Sequence, residues 1–349
     1  MQMYGFHECY LLLRNEMNRF HFFLVRCIGA FLFALVVLPG PSWSQQRAAD
    51  SYPSRVVTII VPFAPGANTD IETRIYAQKL SEILGQSFLV DYKPGAGSTI
   101  GGAYVARSAP DGYTLMSATP SVSAAALQYK IMTYDPLKDF SYVSLMTKRP
   151  YLFVGSNKIP IKDPKEYLAY VRANPGKINF ATSGNGSAGH LFAEWLHQVT
   201  KMDVTFIHFK GAGPSTAAVM SGEVDAVFVS VAAMMNQIKA GKARIIGVTS
   251  QKRLKMLPDV PTVSEQVLQG WEFSSWYGFA GPSAIPRPTI DRLASALAKI
   301  AKDPELEQKF SADGTEMIGS SSEQFKQFVA SEFNRLKKVV EDGGIKLGD

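Results

Sequence analysis

The sequence predicts an α/β protein made of two lobes that share a hinge. Strand-like and helix-like stretches alternate almost throughout the chain, which is typical of βαβ units. Several strand-like stretches are continuous apolar runs, as in parallel strands that are buried on both faces. No flexible linker separates the first series of stretches from the second. At 349 residues, with 46% hydrophobic and 19% charged residues, the chain is long enough for two such lobes.

Residues 1–44 are predicted to contain a secretory signal peptide. Residues 27–38 form an apolar run preceded by Arg19 and Arg26, and a small-residue cleavage pattern ends at Ser44. The run is too short to span a bilayer comfortably. Met17 begins a more typical signal, so we expect it to be the true start and the residues before it to be a misassigned extension. The pattern therefore predicts a periplasmic protein, cleaved after Ser44.

The cysteines and charges argue against several functional classes. Cys9 and Cys27 both precede the predicted cleavage site, so we expect the secreted chain to lack disulfides and thiol chemistry. The 36 basic and 30 acidic residues include no dense basic block with interleaved aromatic residues, which argues against a nucleic-acid partner. The sequence has no His, Asp and Glu cluster at metal-ligand spacing and no Walker A motif. We therefore expect neither a metal nor a cofactor.

The first series of elements begins with the run "VVTIIVPF" (56–63), which predicts a buried strand. Thr69 and Asp70 are suitable caps for the helix that follows this strand. The later elements of this series are a strand at 88–92, a helix near 98–107, a strand at 113–119 and two strand-like runs, "SYVSLM" and "YLFVGSN".

The second series begins with an Asp-capped helix, "DPKEYLAYVRANPG", and continues in the same alternating pattern. Its later elements are the strand "INFATS", the helix "LFAEWLHQV", the strand "DVTFIHF", a helix near 214–222, the strand "DAVFVS", a helix near 231–241 and the strand "ARIIGVTS". A strand-like run at 273–282 and two or three helices finish the chain. Ser321 and Gln324 form a capping box at the start of the last helix.

The turns that follow the predicted strands are rich in small and hydroxyl residues and poor in charge. They read "PFAPGANTD", "YKPGAGSTIGG", "SATPSVSA", "ATSGNGSAGH", "FKGAGPSTA" and "FVSVAAM". Glycine lets a ligand approach the backbone, hydroxyl groups donate hydrogen bonds, and the next helix presents free N–H groups and the positive end of its dipole. Several such turns that converge would bind a small anion without an arginine clamp.

One of these turns also fits the dinucleotide-binding pattern G-x-G-x-x-G, at Gly184, Gly186 and Gly189. That reading needs an acidic residue about 20 positions later, at the end of the next strand, to bind the ribose. The sequence has His208, Phe209 and Lys210 there instead. A Rossmann cofactor site is therefore not favoured.

The same turn gives a distant hydrolase alternative. Ser187 has Asn185 where the G-x-S-x-G nucleophile elbow has glycine, and His190 is expected in the same helix rather than on a separate loop. We interpret His190 as a donor at the helix start or a packed side chain rather than as a catalytic base. A serine hydrolase stays open only as a remote alternative.

Several longer stretches resemble the receptors of tripartite tricarboxylate transporters, also called Bug proteins. They are "YPSRVVTIIVPFAPGANTD", "KPGAGSTIGG", "APDGYTL", "GHLFAEWL", "FKGAGPSTAAVMSGEVDAVF", "IKAGKARIIGVTSQKRLKMLPDVPTVSEQ" and "WYGFAGPSAIPRPTIDRL". The resemblance extends from Tyr52 to about residue 346. It implies an extracytoplasmic solute-binding protein rather than an enzyme.

The resemblance implies a type II periplasmic binding protein fold, with two Rossmann-like lobes of mainly parallel sheet joined by a two-strand hinge. Lobe 1 would comprise residues 51–150 and 277–349, and lobe 2 would comprise residues 151–276. The crossovers would lie near residues 151–155 and 275–278, and the last helix would return to lobe 1.

The resemblance places the ligand in the cleft between the lobes. The ligand would be a small organic carboxylate, either a di- or tricarboxylate or an aromatic carboxylate, held by backbone amides, hydroxyl groups and ordered waters. The implied ligand-binding residues are Phe63, Ala64, Pro65, Gly66, Asn68, Thr69, Asp70, Ser117, Thr119, Ser183, Gly186, Ser187, His190, Lys210, Gly211 and Ser230. The implied function is ligand delivery to a two-protein membrane permease by a monomeric receptor, and the alternative partner is a membrane sensor.

The sequence departs from the family pattern at three places. Ala67 and Ser98 stand where the family usually has glycine. Val229 and Ser230 stand where the family motif D-x-x-F-D-N has its second Asp and its Asn. Loss of that acid would make the pocket less polar and relax any preference for a substrate amine. The change favours an apolar or aromatic carboxylate.

Overall fold

The computed structural model of this chain describes residues 52–66, 68–128 and 132–345. The predicted signal peptide, the proposed start at Met17 and the departure at Ala67 lie outside these residues. Within the described part of the chain, no helix combines the length and the apolar character needed to cross a membrane.

Every predicted strand region contains a strand, and the structure adds a two-residue strand, Glu316–Met317, which the sequence did not predict. The strands are β1 Val57–Val61, β2 Phe88–Tyr92, β3 Thr114–Ala118, β4 Phe140–Gly155, β5 Asn179–Thr182, β6 Thr205–His208, β7 Ala226–Ser230, β8 Arg244–Val248, β9 Ser274–Pro282 and β10 Glu316–Met317.

The helices fill the intervals between the strands, as expected for βαβ units. They are α1 Asn68–Leu84, α2 Thr99–Ala106, α3 Pro120–Gln128, α4 Pro164–Ala173, α5 Ala188–Thr200, α6 Ala212–Ser221, α7 Val231–Lys239, α8 Val263–Gln266, α9 Arg287–Ile300, α10 Pro304–Ser311 and α11 Ser322–Gly343. The predicted capping box at Ser321 and Gln324 is present at the start of α11. The predicted caps Thr69 and Asp70 are wrong, because α1 already begins at Asn68 and both residues lie inside its first turn.

The sheet has two halves, and β4 and β9 carry the chain between them. The strand order is β2-β1-β3-β9-β4-β7-β5-β6, and β8 and β10 also pair with β4. In the first half β2, β1 and β3 are parallel, and in the second half β7, β5 and β6 are parallel. Strand β9 is antiparallel to both β3 and β4, and β4 is antiparallel to β7 and β8. The predicted α/β class with parallel sheet in each half is therefore confirmed.

Strand β4 changes partner in its middle. Its residues up to Pro150 pair with β9, whereas Tyr151 and the residues after it pair with β7 and β8. The sequence predicted two separate runs here, but the structure has one long strand. Pro150 lies where the partner of β4 changes from β9 to β7 and β8. Its missing N–H therefore interrupts the inter-strand hydrogen bonds only where that change occurs.

Each half of the sheet has its own apolar core, and α11 contributes to both. Phe325 and Val329 pack with the first half, and Leu336 packs with the second. Gln198 on α5 also donates through Nε2 to the Val339 carbonyl at 3.3 Å. A helix of this length spans about 33 Å. It therefore reaches across both halves, whereas the family resemblance implied packing on the first lobe.

Candidate ligand-binding site

A cavity of about 260 Å³ lies beside the point where the chain crosses between the two halves of the sheet. Its lining comes from the first half, from the second half and from the crossover strands themselves. The lining residues are Phe63, Thr69, Thr119, Pro120, Ser121, Tyr151, Ala188, Phe273, Ser275 and Tyr277. The structure thus brings residues that are distant in sequence to one small site.

The first turns of α1, α3 and α5 all contribute to this cavity. Thr69 is the second residue of α1, Ser121 is the second of α3, and Ala188 is the first of α5. The first N–H groups of a helix have no partner within the helix and carry the positive end of its dipole. The cavity is therefore suited to an anion.

Charged side chains take no part in the described lining. Its polar side chains are hydroxyl groups, those of Thr69, Thr119, Ser121 and Ser275 together with the two tyrosines. Thr119 is buried, and its Oγ1 lies 2.6 Å from Ser121 Oγ. Hydroxyl groups can donate to an anion while helix ends stabilise its charge, so the lining does not require a lysine or arginine.

Aromatic rings form the wall that the crossover strands supply. The rings of Tyr151 and Phe273 stack with centroids 4.4 Å apart and planes 9° apart, and Phe192 stacks on Phe273 at 4.7 Å. Burial, and then the neighbouring Tyr277, raises the pKa of Tyr151 to about 12. Tyr151 is therefore a neutral phenol near pH 7 and keeps its O–H donor.

Thr249, which follows β8, fixes this aromatic wall. Its buried hydroxyl lies 2.7 Å from the Tyr151 backbone N and 2.5 Å from the Phe273 carbonyl oxygen. Its backbone N donates to the Tyr151 carbonyl, and its carbonyl accepts from the Phe273 N–H. Both strands that carry the wall are thus joined through one residue, which the sequence did not single out.

The predicted residues of the β1–α1 segment have different positions. Phe63 and Thr69 line the cavity, Ala64 and Pro65 are exposed in the loop between strand and helix, and Asn68 is the first residue of α1.

Asp70 holds the β1–α1 loop in place. Its buried carboxylate accepts from the Gly66 N–H at 2.8 Å, the Tyr92 hydroxyl at 2.6 Å and Arg74 Nε at 2.8 Å. Burial raises the pKa of Asp70, but the hydrogen bonds from Tyr92 and Gly66 and the charge of Arg74 outweigh it and hold that pKa below its usual range. The carboxylate therefore positions the loop that carries Phe63 and Gly66.

Ser117 lies behind the cavity rather than in its lining. It is buried in β3, and its hydroxyl lies 2.9 Å from Thr73 Oγ1. The Thr73 hydroxyl in turn lies 2.5 Å from the Thr69 carbonyl oxygen. Ser117 thus supports the first turn of α1, while Thr119, two residues later, lines the cavity.

The predicted residues before α5 organise the start of that helix. Ser187 Oγ accepts from the His190 backbone N–H at 3.3 Å, which caps the helix. The His190 ring is buried, its Nδ1 accepts from the Gly186 N–H at 3.0 Å, and its Nε2 lies 3.6 Å from Glu194. His190 is therefore a packed side chain, as predicted, and its ring nitrogens face groups other than the Ser187 hydroxyl. This arrangement does not favour a Ser–His dyad.

The other predicted residues of the second half lie at the carboxyl ends of its parallel strands. Ser183 follows β5 and accepts the Gly211 N–H through its carbonyl at 3.1 Å. Lys210 is exposed after β6, and Gly211, with a φ of 114°, precedes α6. Ser230 ends β7 and is the register partner of Tyr151. These residues share the sheet edge near the cavity without belonging to its described lining.

Sequence reasoning did not include seven lining residues among the site residues: Pro120, Ser121, Tyr151, Ala188, Phe273, Ser275 and Tyr277. The available signal was the pair of expected crossovers near residues 151–155 and 275–278, which contain three of these lining residues. The described residues contain no group of His, Cys, Asp and Glu side chains that could hold a metal ion.

The sequence matches a known receptor family over most of its length. Residues 73–345 match the family described as "Tripartite tricarboxylate transporter family receptor". A UPF0065 protein of Agrobacterium vitis, encoded in the TAR-I ttuE-ttuC' intergenic region, is 35% identical over 318 residues, which cover 90% of this chain and 91% of the relative.

Solved structures of similar proteins share the fold. Rpa4515 of R. palustris, solved with adipate, is 32% identical with a TM-score of 0.68, and the match covers 84% of this chain and 99% of that one. MatC of Rhodopseudomonas palustris, solved with malate, is 30% identical with a TM-score of 0.65, and the match covers 83% of this chain and 100% of MatC. The periplasmic binding protein BugD is 31% identical with a TM-score of 0.65, and the match covers 84% of this chain and 99% of BugD.

The matched region runs from within α1 to the end of α11 and includes the α3 and α5 starts and both crossover strands, whereas Phe63 and Thr69 lie before it. Its relatives of known structure include carboxylate complexes and a periplasmic binding protein. This chain belongs to the tripartite tricarboxylate transporter receptor family, whose periplasmic solute-binding members have the type II fold.

Proposed function

We propose that this chain is a periplasmic receptor that binds a small carboxylate in the cavity at the crossover strands and delivers it to a membrane transporter. The observation that carries the proposal is the meeting of the first turns of α1, α3 and α5 at a cavity whose described lining has hydroxyl groups but no charged side chain. The adipate and malate bound to two relatives are carboxylates, which supports the same ligand class here.

The carboxylate is held by N–H groups at the helix starts and by the hydroxyl groups of Thr69, Thr119 and Ser121. Hydrogen bonds to an ionised acceptor are shorter and stronger than neutral ones, so several of them offset the loss of hydration. Asp70 and His190 act indirectly in this account, because their own polar atoms hold the two loops that frame the cavity. Binding requires no covalent step, and the chain is a receptor rather than an enzyme.

The cavity lies between two lobes that close on the ligand. Lobe 1 comprises residues 51–150 and 277–349, and lobe 2 comprises residues 151–276. The partner change of β4 at Pro150 supports the boundary between residues 150 and 151. Closure by rotation about the crossover strands would bring the α5 start toward the α1 and α3 starts and exclude water from the carboxylate.

The receptor reaches the periplasm through the signal peptide in residues 1–44 and acts there as a monomer. Its ligand-loaded, closed form is the form that a two-protein permease recognises. The family description as a transporter receptor supports this partner.

Titration calorimetry with a panel of carboxylates tests the ligand class. We expect Thr119→Val, which keeps the side-chain shape but removes the hydroxyl, to raise the Kd by roughly 10- to 150-fold, since a hydrogen bond to a charged group contributes about 1.5–3 kcal/mol. Thr205→Val is the matched control, because Thr205 is exposed on β6 outside the cavity lining. Equal affinities for Thr119→Val and the parent chain would place the carboxylate elsewhere.

A further inference from the structure

A second cavity, called the rear cavity below, lies on the face of the crossover strands opposite the ligand cavity. It has a volume of about 140 Å³ and is lined mainly by residues of β4, β9, the segment before β9 and α11. Side chains alternate between the two faces of a strand, so Ser274 of β9 faces the rear cavity while its neighbour Ser275 faces the ligand cavity. The crossover strands therefore separate a front cavity from a rear one.

An ion pair in the rear cavity joins the two halves of the chain. Lys148 lies in β4 before the change of partner. Glu272 lies between Trp271 and Phe273, which belong to the second-half core. Lys148 Nζ donates to both carboxylate oxygens of Glu272 at 3.1 Å. The two side chains are 19% and 18% exposed, so water and salt screen this pair less than a surface ion pair.

Glu332 of α11 is a buried carboxyl group in the lining of the same rear cavity. Its Oε2 accepts from Trp276 Nε1 at 2.6 Å. Among the residues that the structure describes, the charged groups that face it are Lys148 from β4, Glu272 from the segment before β9 and Arg335 from α11 itself. Burial raises the pKa of Glu332 to about 7, although the hydrogen bond and the two cations lower it. Near neutral pH this group is therefore divided between its protonated and ionised forms.

Closure of the lobes at the front changes the rear cavity, because the crossover strands lie between the two cavities. Glu332 lies on α11 between Val329, which packs with the first half, and Leu336, which packs with the second. A rotation about the crossover strands that narrows the ligand cavity moves the two halves apart behind those strands. The rear cavity then widens and admits water to the Glu332 carboxyl group. Hydration favours the ionised form of that group.

We propose that Glu332 is a proton-controlled latch for closure of the lobes. Its protonated form holds the rear cavity narrow and the ligand cavity wide, and its ionised form favours closure. The proposal rests on the lobe closure of the proposed function and adds the regulation of that closure. The narrow rear cavity binds the proton more tightly than the widened one, so the fraction of closed lobes rises with pH. The rise ends above the pKa of about 7 that Glu332 has in the narrow cavity.

Energy transfer between two dyes measures this closure. The chain after residue 44 contains no cysteine, so Asp91→Cys and Lys210→Cys together provide two unique attachment sites. Both residues are exposed near the carboxyl ends of strands, Asp91 in β2 of the first half and Lys210 after β6 of the second. Closure brings these ends together. We expect the transfer efficiency to rise from about pH 5.5 to about pH 7 and to level off above that range.

Glu332→Gln tests the titrating group itself. The glutamine amide oxygen can still accept from Trp276, but the side chain has no proton to lose. The transfer efficiency should therefore stay at its low-pH value throughout. Glu72→Gln is the matched control, because Glu72 also has a pKa of about 7 but lies outside the described lining of the rear cavity. This control should retain the rise with pH.

Two variants of the ion pair test the electrostatic part of the latch. Glu272→Gln removes a negative charge that raises the pKa of Glu332, so the rise should be complete at a lower pH. Lys148→Gln removes a positive charge that lowers this pKa, so the rise should extend to a higher pH. Both variants break the same ion pair, so opposite shifts distinguish the charges from a purely structural effect. They also test the proposal if Glu332→Gln does not fold.

The outcomes separate the latch from the receptor function. A transfer efficiency that is independent of pH, or that falls as pH rises, would overturn the latch. A rise that persists in Glu332→Gln or disappears in Glu72→Gln would overturn it as well, and so would shifts in the same direction for the two ion-pair variants. Failure of the whole carboxylate panel to bind in titration calorimetry would overturn the proposed function, whereas the pH-dependent transfer would still support the latch.

Discussion

Asp70 holds the loop after β1, and in the proposed account it acts on binding through that loop rather than through contact with the ligand. A buried carboxylate is stable only when donors replace its lost hydration, and Asp70 has a backbone N–H, a phenol and a guanidinium around it. These donors tie the loop after β1 to α1 and β2. The position of Phe63 at the cavity therefore depends on a charge that lies outside the described lining.

Asp70→Asn should weaken both the fold and ligand binding. The amide keeps the shape but loses the charge that Arg74 and Tyr92 stabilise, so we expect the free energy of unfolding to fall by about 1–3 kcal/mol. Carboxylate affinity should fall as well, because the loop with Phe63 loosens. Asp291→Asn, which breaks an exposed ion pair with Arg287, is the control and should change stability by less than about 0.5 kcal/mol. Urea unfolding measures the free energy of unfolding of both variants. Equal values for Asp70→Asn and Asp291→Asn would contradict the role of Asp70 in holding the loop.

Glu72 lies one helical turn after Thr69 and gives the protein a pH-dependent stability. Its Oε1 accepts from Arg149 Nη2 at 2.8 Å, and its Oε2 accepts from the Thr147 hydroxyl at 3.0 Å. Burial raises the pKa of Glu72 to about 7 even though Arg149 lowers it. The folded chain therefore holds this proton at pH values where the unfolded chain has lost it.

The sign of this effect follows from linkage. Between the unfolded pKa of about 4.3 and the folded pKa near 7, the folded state binds more protons, so this group lowers the free energy of unfolding as pH rises. Well above the folded pKa its effect is constant, and its total is about 4 kcal/mol. Glu72→Gln lacks this titration, so its stability relative to the parent chain should rise between pH 5 and pH 7. Urea unfolding at several pH values measures the difference, and a pH-independent difference would contradict the account.

At the scale of elements, α11 is the main packing link between the two halves of the sheet besides β4 and β9. Trp276 on β9 donates to Glu332 on α11 at 2.6 Å, on the strand face opposite the cavity residues Ser275 and Tyr277. One crossover strand thus contacts the ligand site on one face and α11 on the other. Changes in α11 are expected to alter the stability of both cores.

Leu336→Ala tests whether the second part of α11 packs in the second-half core. Leu336 is 1% exposed, and its truncation should lower the free energy of unfolding by about 2–5 kcal/mol. Lys337→Ala, at the neighbouring exposed position, should change it by less than about 0.5 kcal/mol. Similar small effects for both variants would show that this part of the helix contributes no core packing.

Helices and strands could be predicted where the sequence pattern that indicates them involves residues close together in the chain. The capping box of α11 depends on residues three positions apart, and the strands before the glycine-rich turns follow from short apolar runs. Phe63, Thr69 and Thr119 were found because they lie in or beside the turns that connect a predicted strand to the next helix. Continuous pairing through Pro150 was missed, because the change of partner depends on β7 and β9, which are distant in sequence. The same non-local pairing brings Tyr151 and Phe273 together, so the aromatic wall could not be derived from spacing alone.

For the whole molecule, the account requires that ligand binding and hinge closure stabilise each other. The two cores are separate, and the cavity lies where the chain passes between them, so a carboxylate bound as proposed would contact both halves at once. A ligand that binds only the folded chain raises its free energy of unfolding by roughly 2.7 kcal/mol at 100 times its Kd. Carboxylates that bind in the cavity should therefore raise the melting temperature in a concentration-dependent way.

The most direct test of the central claim is mass spectrometry of the small molecules released when the chain, purified from the periplasm without refolding, is denatured. The account predicts a stoichiometric small carboxylate that raises the melting temperature when it is added back. A chain that retains no carboxylate, and whose melting temperature is unchanged by a broad carboxylate panel, would contradict the claim that this cavity is a carboxylate site.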